Sequence, residues 1–510
     1  MRKPTPTRVA VLTLSTLMLA SCGSNDQNST QTGKQYLLPM ATVPQLDLVF
    51  MIDNSPSMAP KQEKLKAQFP RLIDALRNPG DGSLPDLRIA IVDSDLGTGG
   101  AYMVGSCGPN DANGQSMFGD EGKFMMPNAQ GCGVIGANAQ WLEYQNGAGV
   151  NFMGDVSAVF ACLASNLGTV GCGFEQQLES YEIAFTGQDN LSQRSMLRAG
   201  AHLGLVFLSD EDDCSGSGHD GLYGDKTEAR GESASLRCAT RTHQCGGKNL
   251  STSGPGYPTT ASFEAALDTC AARTDTCPNA FDRTGSTDTS MATSCSPLRS
   301  VKKLASNLKT LKQHPGEQLL VSGIFGWPVD ESAPAVYKVA PVSNPNSLDT
   351  EHPTVFDLWP VCYDPHHLPT NPDPVTGFDA EAAGYGATPG LRMSAFVDEF
   401  ATNGSKFSIC QPDYTAAMSQ IGAALAKKMH NQCVPTSFTQ AGQCTATYES
   451  PDGSMKAIPV CDASESVIPC YTLVSDPGLC PGDNYLVHLN RGLAAAEPVP
   501  AGTWLIFGCS

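Results

Sequence analysis

Leu46-Asp47-Leu48-Val49-Phe50-Met51-Ile52-Asp53-Asn54-Ser55-Pro56-Ser57-Met58 is the stretch on which the fold turns. Residues 46–52 form an apolar run of the kind that makes a buried strand in a parallel sheet. The run leads straight into Asp53-x-Ser55-x-Ser57. A helical pattern follows, with Leu65, Phe69, Leu72, Ile73 and Leu76 on one face. Pro70 falls inside it and is expected to kink or split the helix, because it lacks an N–H and crowds the preceding turn.

The same alternation continues outward. Residues 87–92 predict a second strand, and 203–209 a third that enters Asp210-Glu211-Asp212-Asp213. Leu298, Val301, Leu304, Leu308 and Leu311 share a helix face, and 319–325 follow as a strand. Residues 407–410 predict a short strand. Asp413 then reads as the N-cap of a helix to about His430, with Lys427 and Lys428 placed against its C-terminal dipole. Strands alternating with helices predict an α/β fold, a doubly wound and mostly parallel sheet spanning 46–430. The connections 97–152, 215–296 and 327–389 are far longer than ordinary loops and read as insertions braced by disulfides. In the second, Cys238-Ala-Thr-Arg-Thr-His-Gln-Cys245 is echoed by Cys270-Ala-Ala-Arg-Thr-Asp-Thr-Cys277, which reads as a duplicated disulfide-closed loop. Cys433, Cys444, Cys461, Cys470, Cys480 and Cys509, with little helical periodicity, predict a small Cys-rich β module over 431–510.

The N-terminus reads as an export signal. Arg2, Lys3 and Arg8 precede an apolar run at 9–20, too short to span a bilayer comfortably. Leu19-Ala20-Ser21-Cys22 resembles the bacterial lipobox, which implies lipidation of Cys22 and attachment to the cell envelope. Gly23 at the next position leans toward the outer membrane over the inner one. Residues 22–45 are expected to be the lipidated Cys and a flexible tether, polar and Asn/Ser/Thr/Gln-rich through 23–35. Of 19 Cys, setting Cys22 aside leaves 18, an even number suited to pairing in an oxidising compartment. No pair of C-x-x-C motifs speaks for zinc. Acidic residues (51) outnumber basic ones (32), a net charge of -19 that disfavours nucleic acid as a partner.

Asp53, Ser55 and Ser57 sit where open α/β sheets place ligands, at the carboxyl edge of a strand. One carboxylate and two hydroxyls spaced two apart are hard oxygen donors, suited to Mg²⁺ or Ca²⁺. The same residue types also cap helices. An Asp after a second apolar strand, Asp210, favours the metal reading. Glu211, Asp212 and Asp213 read as a solvated acidic turn, and Asp93 and Asp95 as a turn at the same edge. The pattern resembles the von Willebrand factor type A (VWA) family, whose metal-ion-dependent adhesion site (MIDAS) begins with D-x-S-x-S. The resemblance implies a third donor loop, for which Thr169 in Gly168-Thr169-Val170-Gly171 is the match, and a site of Asp53, Ser55, Ser57, Thr169 and Asp210 holding one divalent cation. It also implies an open coordination position for a carboxylate from a protein partner. The phrases at 171–175 and 209–215 are similar to such domains on disulfide-rich lipoproteins of predatory and soil-dwelling Gram-negative bacteria. Cys172 in the Thr169 loop and Cys214 beside Asp210 are expected to bridge, with Cys162 as the competing partner for either.

There is no H-E-x-x-H, no G-x-S-x-G and no Walker A loop. The chain therefore reads as a binding protein and not an enzyme, with a structural envelope scaffold as the other reading.

Overall fold

The computed structural model describes residues 35–98, 119–216, 223, 233–250, 263–277, 295–330, 335–343, 354–369, 384–436, 444–462, 467–492 and 498–509, apart from 79, 137, 481 and 483. Cys22 and the expected export signal lie outside these residues. Among the described residues no helix is long and apolar enough to cross a membrane.

Seven strands make the main sheet: β1 (Gln45–Ile52), β2 (Asp86–Val92), β3 (Leu142–Gln145), β4 (Ala148–Gly149), β5 (His202–Ser209), β6 (Leu319–Phe325) and β7 (Gly404–Ser408). Their order is β7-β6-β5-β1-β2-β3-β4. The five from β7 to β2 run parallel, and β3 and β4 are antiparallel additions. The chain leaves β1 toward β2 and later returns to the opposite side of β1 with β5. Such a reversal opens a crevice at the carboxyl ends of the two central strands.

The β3–β4 hairpin corrects one expectation, because it falls inside 97–152, read from sequence as an insertion. Its strands are too short to show a period of two. Asn146-Gly147, both at positive φ, closes it, and that dipeptide was the available signal.

Among the described residues, six helices cover the sheet: α1 (Ala59–Ala75), α2 (Val156–Ser165), α3 (Gln177–Thr186), α4 (Val301–Lys309), α5 (Leu391–Asp398) and α6 (Thr415–Met429). Side chains of a strand alternate between faces, and β1 divides accordingly. Leu46, Leu48, Phe50 and Ile52 pack with α1, α2 and α6, while Val49 and Met51 pack with α3, α4 and α5. Phe50, Phe69 and Phe160 form an aromatic contact on the first face, with Phe69 and Phe160 stacked at 3.8 Å. On the second face the buried Tyr181 hydroxyl accepts from Met51 N at 3.1 Å and donates to Val206 O at 2.6 Å. Contrary to expectation, Pro70 does not split α1. It lies on the exposed face, so the carbonyl that loses its helical donor can turn to water.

Asp47 interrupts the apolar face that holds Val49 and Met51, yet it is fully buried. Arg198 donates to it from its backbone N and its Nε, both at 2.8 Å, and Lys312 Nζ lies 3.5 Å from Oδ2. A buried carboxylate is tolerable only with such partners.

Seven disulfides join described residues: Cys132–Cys162, Cys214–Cys238, Cys245–Cys270, Cys277–Cys295, Cys362–Cys410, Cys433–Cys480 and Cys461–Cys470. The expected Cys172–Cys214 bridge is not formed, and Cys162 pairs with neither. Cys172 is disulfide-bonded, but not to Cys214, whose partner is Cys238. Nor does either copy of the duplicated loop close on itself. Cys238 ends up in a helix (Ala234–Thr242) and Cys245 in the strand after it, so the two copies are linked to each other through Cys245–Cys270, paired in register.

The C-terminal region is a β module with its own core of Leu38, Val434, Ala446, Ile458, Tyr471, Val487, Leu505 and Phe507. Leu38 comes from the other end of the chain. The strand Gln35–Pro39 pairs antiparallel with Trp504–Cys509, so these residues, expected to belong to the tether of 22–45, form part of the module. The partner strand is more than 460 residues away in sequence, beyond any local pattern. Glu449 of this module accepts from His314 Nε2 at 2.8 Å and from Gln313, which docks the module on the sheet domain.

Candidate metal centre at the carboxyl edge of the sheet

The ends of β1 and β5 carry the site. Asp53 N donates to Leu208 O at 3.0 Å, which extends the ladder by one residue and sets Asp53 beside Ser209 and Asp210. The Asp53 carboxylate is wholly buried. Its Oδ1 accepts from Ser55 N at 2.8 Å and from Ser94 Oγ at 3.3 Å, and its Oδ2 accepts from Ser209 Oγ at 2.6 Å. The Asp-to-backbone bond folds residues 53–55 into a tight turn. That turn brings the Ser55 and Ser57 hydroxyls to 3.3 Å of each other.

Asp210 is buried, and its two oxygens differ. Oδ2 takes an ion pair from Lys61 Nζ, while Oδ1 has no hydrogen-bond partner. Lys61 lies in the first turn of α1 and also donates to Ser57 O at 3.3 Å, so its ammonium stands between the Ser57 loop and Asp210. The Asp210 carbonyl accepts from Thr388 N at 2.9 Å. Residue 326 must be Gly for that approach, since a Cβ there would overlap the Thr388 carbonyl.

Thr169 lies in the loop between α2 and α3, half-buried. Backbone contacts bring this loop to the Asp53 loop. Gly171 N donates to Asn54 O at 2.8 Å, and Gln62 Nε2 bridges Asp53 O at 2.9 Å and Gly168 O at 3.1 Å. Gly171 is required here, because a Cβ would meet the Asn54 side chain. Asp53, Ser55, Ser57 and Asp210 therefore gather at one place, with the Thr169 loop packed beside them.

Sequence reasoning missed Ser94 and Ser209, whose hydroxyls bind the Asp53 carboxylate, and four further neighbours. Gln177 Nε2 donates to Ser209 Oγ at 2.8 Å, and Lys61, Gln62 and Glu175 complete the surroundings. Lys61 and Gln62 follow Asp53 by eight and nine residues, where the first turn of the next helix folds back over the loop. That spacing was the available signal.

The acidic turn is only partly exposed, and two of its three carboxylates are bound by the fold, which corrects the expectation of a solvated turn. Asp212 caps α5 by accepting from Arg392 N and Met393 N, and it meets buried His243 at 2.7 Å. Asp213 accepts from Arg392 Nε at 3.0 Å and from Leu178 N at 2.9 Å. Both serve the fold. Glu211 is different. Burial pushes its carboxyl up to about 8, with repulsion from Asp210 adding to the effect. Burial likewise raises Asp53 to about 6, again helped by Asp210, and Glu175 well above the usual range, with Glu211 and Asp53 repelling it. Asp93 is also raised, by burial and then by the neighbouring Asp120 carboxyl.

The donor chemistry fits a hard divalent cation: two carboxylates, serine hydroxyls and one buried carboxylate oxygen left without a partner. Against this, the position at Asp210 Oδ2 is held by Lys61. Among the described residues no three His, Cys, Asp or Glu side chains converge on one metal position. A set built largely on hydroxyls does not require them to.

No family model matches the sequence, and no curated protein matches it either. Among solved structures, the alignments include the pilus adhesin SpaC from Lactobacillus rhamnosus GG in its open conformation, at 9% identity and a TM-score of 0.29. That alignment covers 94% of this chain and 41% of SpaC, so the chain spans less than half of that protein. The adhesive tip pilin GBS104 from Group B Streptococcus agalactiae aligns at 12% identity and a TM-score of 0.27, over 93% of this chain and 80% of the pilin.

Proposed function

We propose that the chain is an envelope lipoprotein of the VWA type, anchored through Cys22, that recognises an acidic protein or other carboxylate-bearing ligand through one divalent cation. Asp53, Ser55, Ser57, Thr169 and Asp210 would hold the ion, and its role is recognition, with no reaction catalysed. The observation that carries the reading is the buried Asp210 Oδ1, without a partner at the point where the Asp53 turn meets the end of β5. The raised carboxyls of Asp53, Glu175 and Glu211 support it, since buried acids that resist ionisation gain most from a nearby cation. Mg²⁺ and Ca²⁺ both suit the donors.

Thermal melting tests this directly. An ion that binds only the native state stabilises it by about 2.7 kcal/mol at a hundred times its dissociation constant. Mg²⁺ or Ca²⁺ should therefore raise the Tm over that in EDTA, and Asp53→Ala should remove the increment. If neither ion moves the wild-type curve and calorimetry detects no binding, the metal reading is lost. The alternative, a structural scaffold with a vestigial site, then stands, and the Lys61–Asp210 pair is what favours it.

The anchor has a separate test. Cys22→Ala should release the protein from membranes under a high-salt wash. Full retention of the variant would end the lipoprotein reading.

A further inference from the structure

Buried Asp53, Glu175 and Asp210 form an acidic group with half-buried Glu211, in which each carboxyl feels at least one of the others. Among the described residues, Lys61 is the cation paired with any of them. Its position is built and not incidental. The Lys61 side chain is 2% exposed, its stem rises from the first turn of α1, and its Nζ bonds Ser57 O and Asp210 Oδ2 together. It thus links two of the residues that would chelate a metal. An ammonium satisfies one carboxylate oxygen and leaves Oδ1 of Asp210 bare. A divalent ion at Oδ1 and the Lys61 ammonium at Oδ2 would share one buried carboxylate, and two cations that close in a buried space repel strongly.

We propose that Lys61 is the built-in cation of this site, standing where a divalent ion would bind, so that the ion enters only by displacing the ammonium from Asp210. This rests on the metal-dependent reading above and adds its regulation. Lys61 keeps Asp210 from being an unpaired buried charge when no metal is present. It also sets a threshold, since metal affinity is reduced by whatever it takes to move the side chain. The site then responds to divalent ions only above a set concentration.

The test is calorimetric titration of Mg²⁺ and of Ca²⁺ into wild type, Lys61→Met and Lys61→Arg. Removing the competing charge in Lys61→Met should tighten divalent binding on the order of tenfold or more. Lys61→Arg keeps the charge and should not tighten it. Binding by Lys61→Met alone, with none by wild type, supports the assignment of Lys61 while removing metal dependence from the native protein. Wild-type binding that Lys61→Met fails to tighten overturns the assignment of Lys61 and leaves the metal reading standing. No binding by either protein overturns both. A second measurement on wild type covers the case in which Lys61→Met does not fold. Acylation of lysine amines, read by mass spectrometry, should find Lys61 protected in EDTA and reactive with saturating Mg²⁺ or Ca²⁺. Bound metal with Lys61 still protected overturns the proposal.

Discussion

Asp47→Ala is expected to cost about 3–5 kcal/mol of stability, because it strands buried positive charge at the centre of the sheet. Asp47 and Lys312 both have wholly buried side chains. Lys312 Nζ also donates to Arg198 O at 2.8 Å, so the three residues lock the start of β5 and the segment after α4 onto β1. Removing the acid leaves Lys312 desolvated with only a carbonyl to face. Urea unfolding at neutral pH is the measurement, and a loss under about 1 kcal/mol would show that water reaches Lys312. The double variant Asp47→Leu with Lys312→Met should recover much of the loss, since buried ion pairs are often replaceable by packed apolar side chains.

The second large effect is in pH. His202 opens β5, is 3% exposed, and tilts against Trp504 of the C-terminal module at 5.9 Å. Its Nε2 is buried without a partner. Burial pushes its pKa down to about 3, and the positive charges of Lys312, Lys428 and His430 push the same way. The native state holds the ring neutral, while the unfolded chain takes up the proton near 6.5. Unfolding therefore binds a proton between those values, and stability falls as pH drops from about 6.5 to about 3. The full term is on the order of 4–5 kcal/mol. His202→Phe should flatten that part of the stability–pH curve. Half-buried Asp357, raised to about 6 by desolvation, acts in the opposite sense, losing stability as pH rises from 3.8 to 6. The difference between wild type and His202→Phe isolates the histidine. Parallel curves for the two proteins would mean that the ring takes up its proton in the native state as readily as in the unfolded chain. Because His202 sits at the junction, loss of the C-terminal module from the sheet domain should be the first acid-induced event.

Sheet strands were legible where burial on both faces imposed a continuous apolar run. Residues 46–52, 203–209 and 319–325 matched β1, β5 and β6 to within one residue. The antiparallel hairpin was not legible, because four-residue and two-residue strands carry no period. Asp53, Ser55, Ser57 and Asp210 could be named in advance because each follows the end of a buried strand. The Lys61 contact could not, since a lysine in the first turn of an amphipathic helix is ordinarily solvated.

By itself, the sequence determined the alternation of strand and helix, the placement of Asp53, Ser55, Ser57 and Asp210 just past the ends of apolar strands, and an even number of cysteines beyond Cys22. Those properties are local, set by apolar period, turn chemistry and composition. Tertiary structure alone decided which cysteines meet, that residues 35–39 join the C-terminal module as a strand, and that Lys61 turns inward to Asp210. Each of those depends on two segments far apart in sequence becoming neighbours. Contact of that kind is selected by packing and by the need to pair buried charge, and neither leaves a trace in the order of residues along one segment.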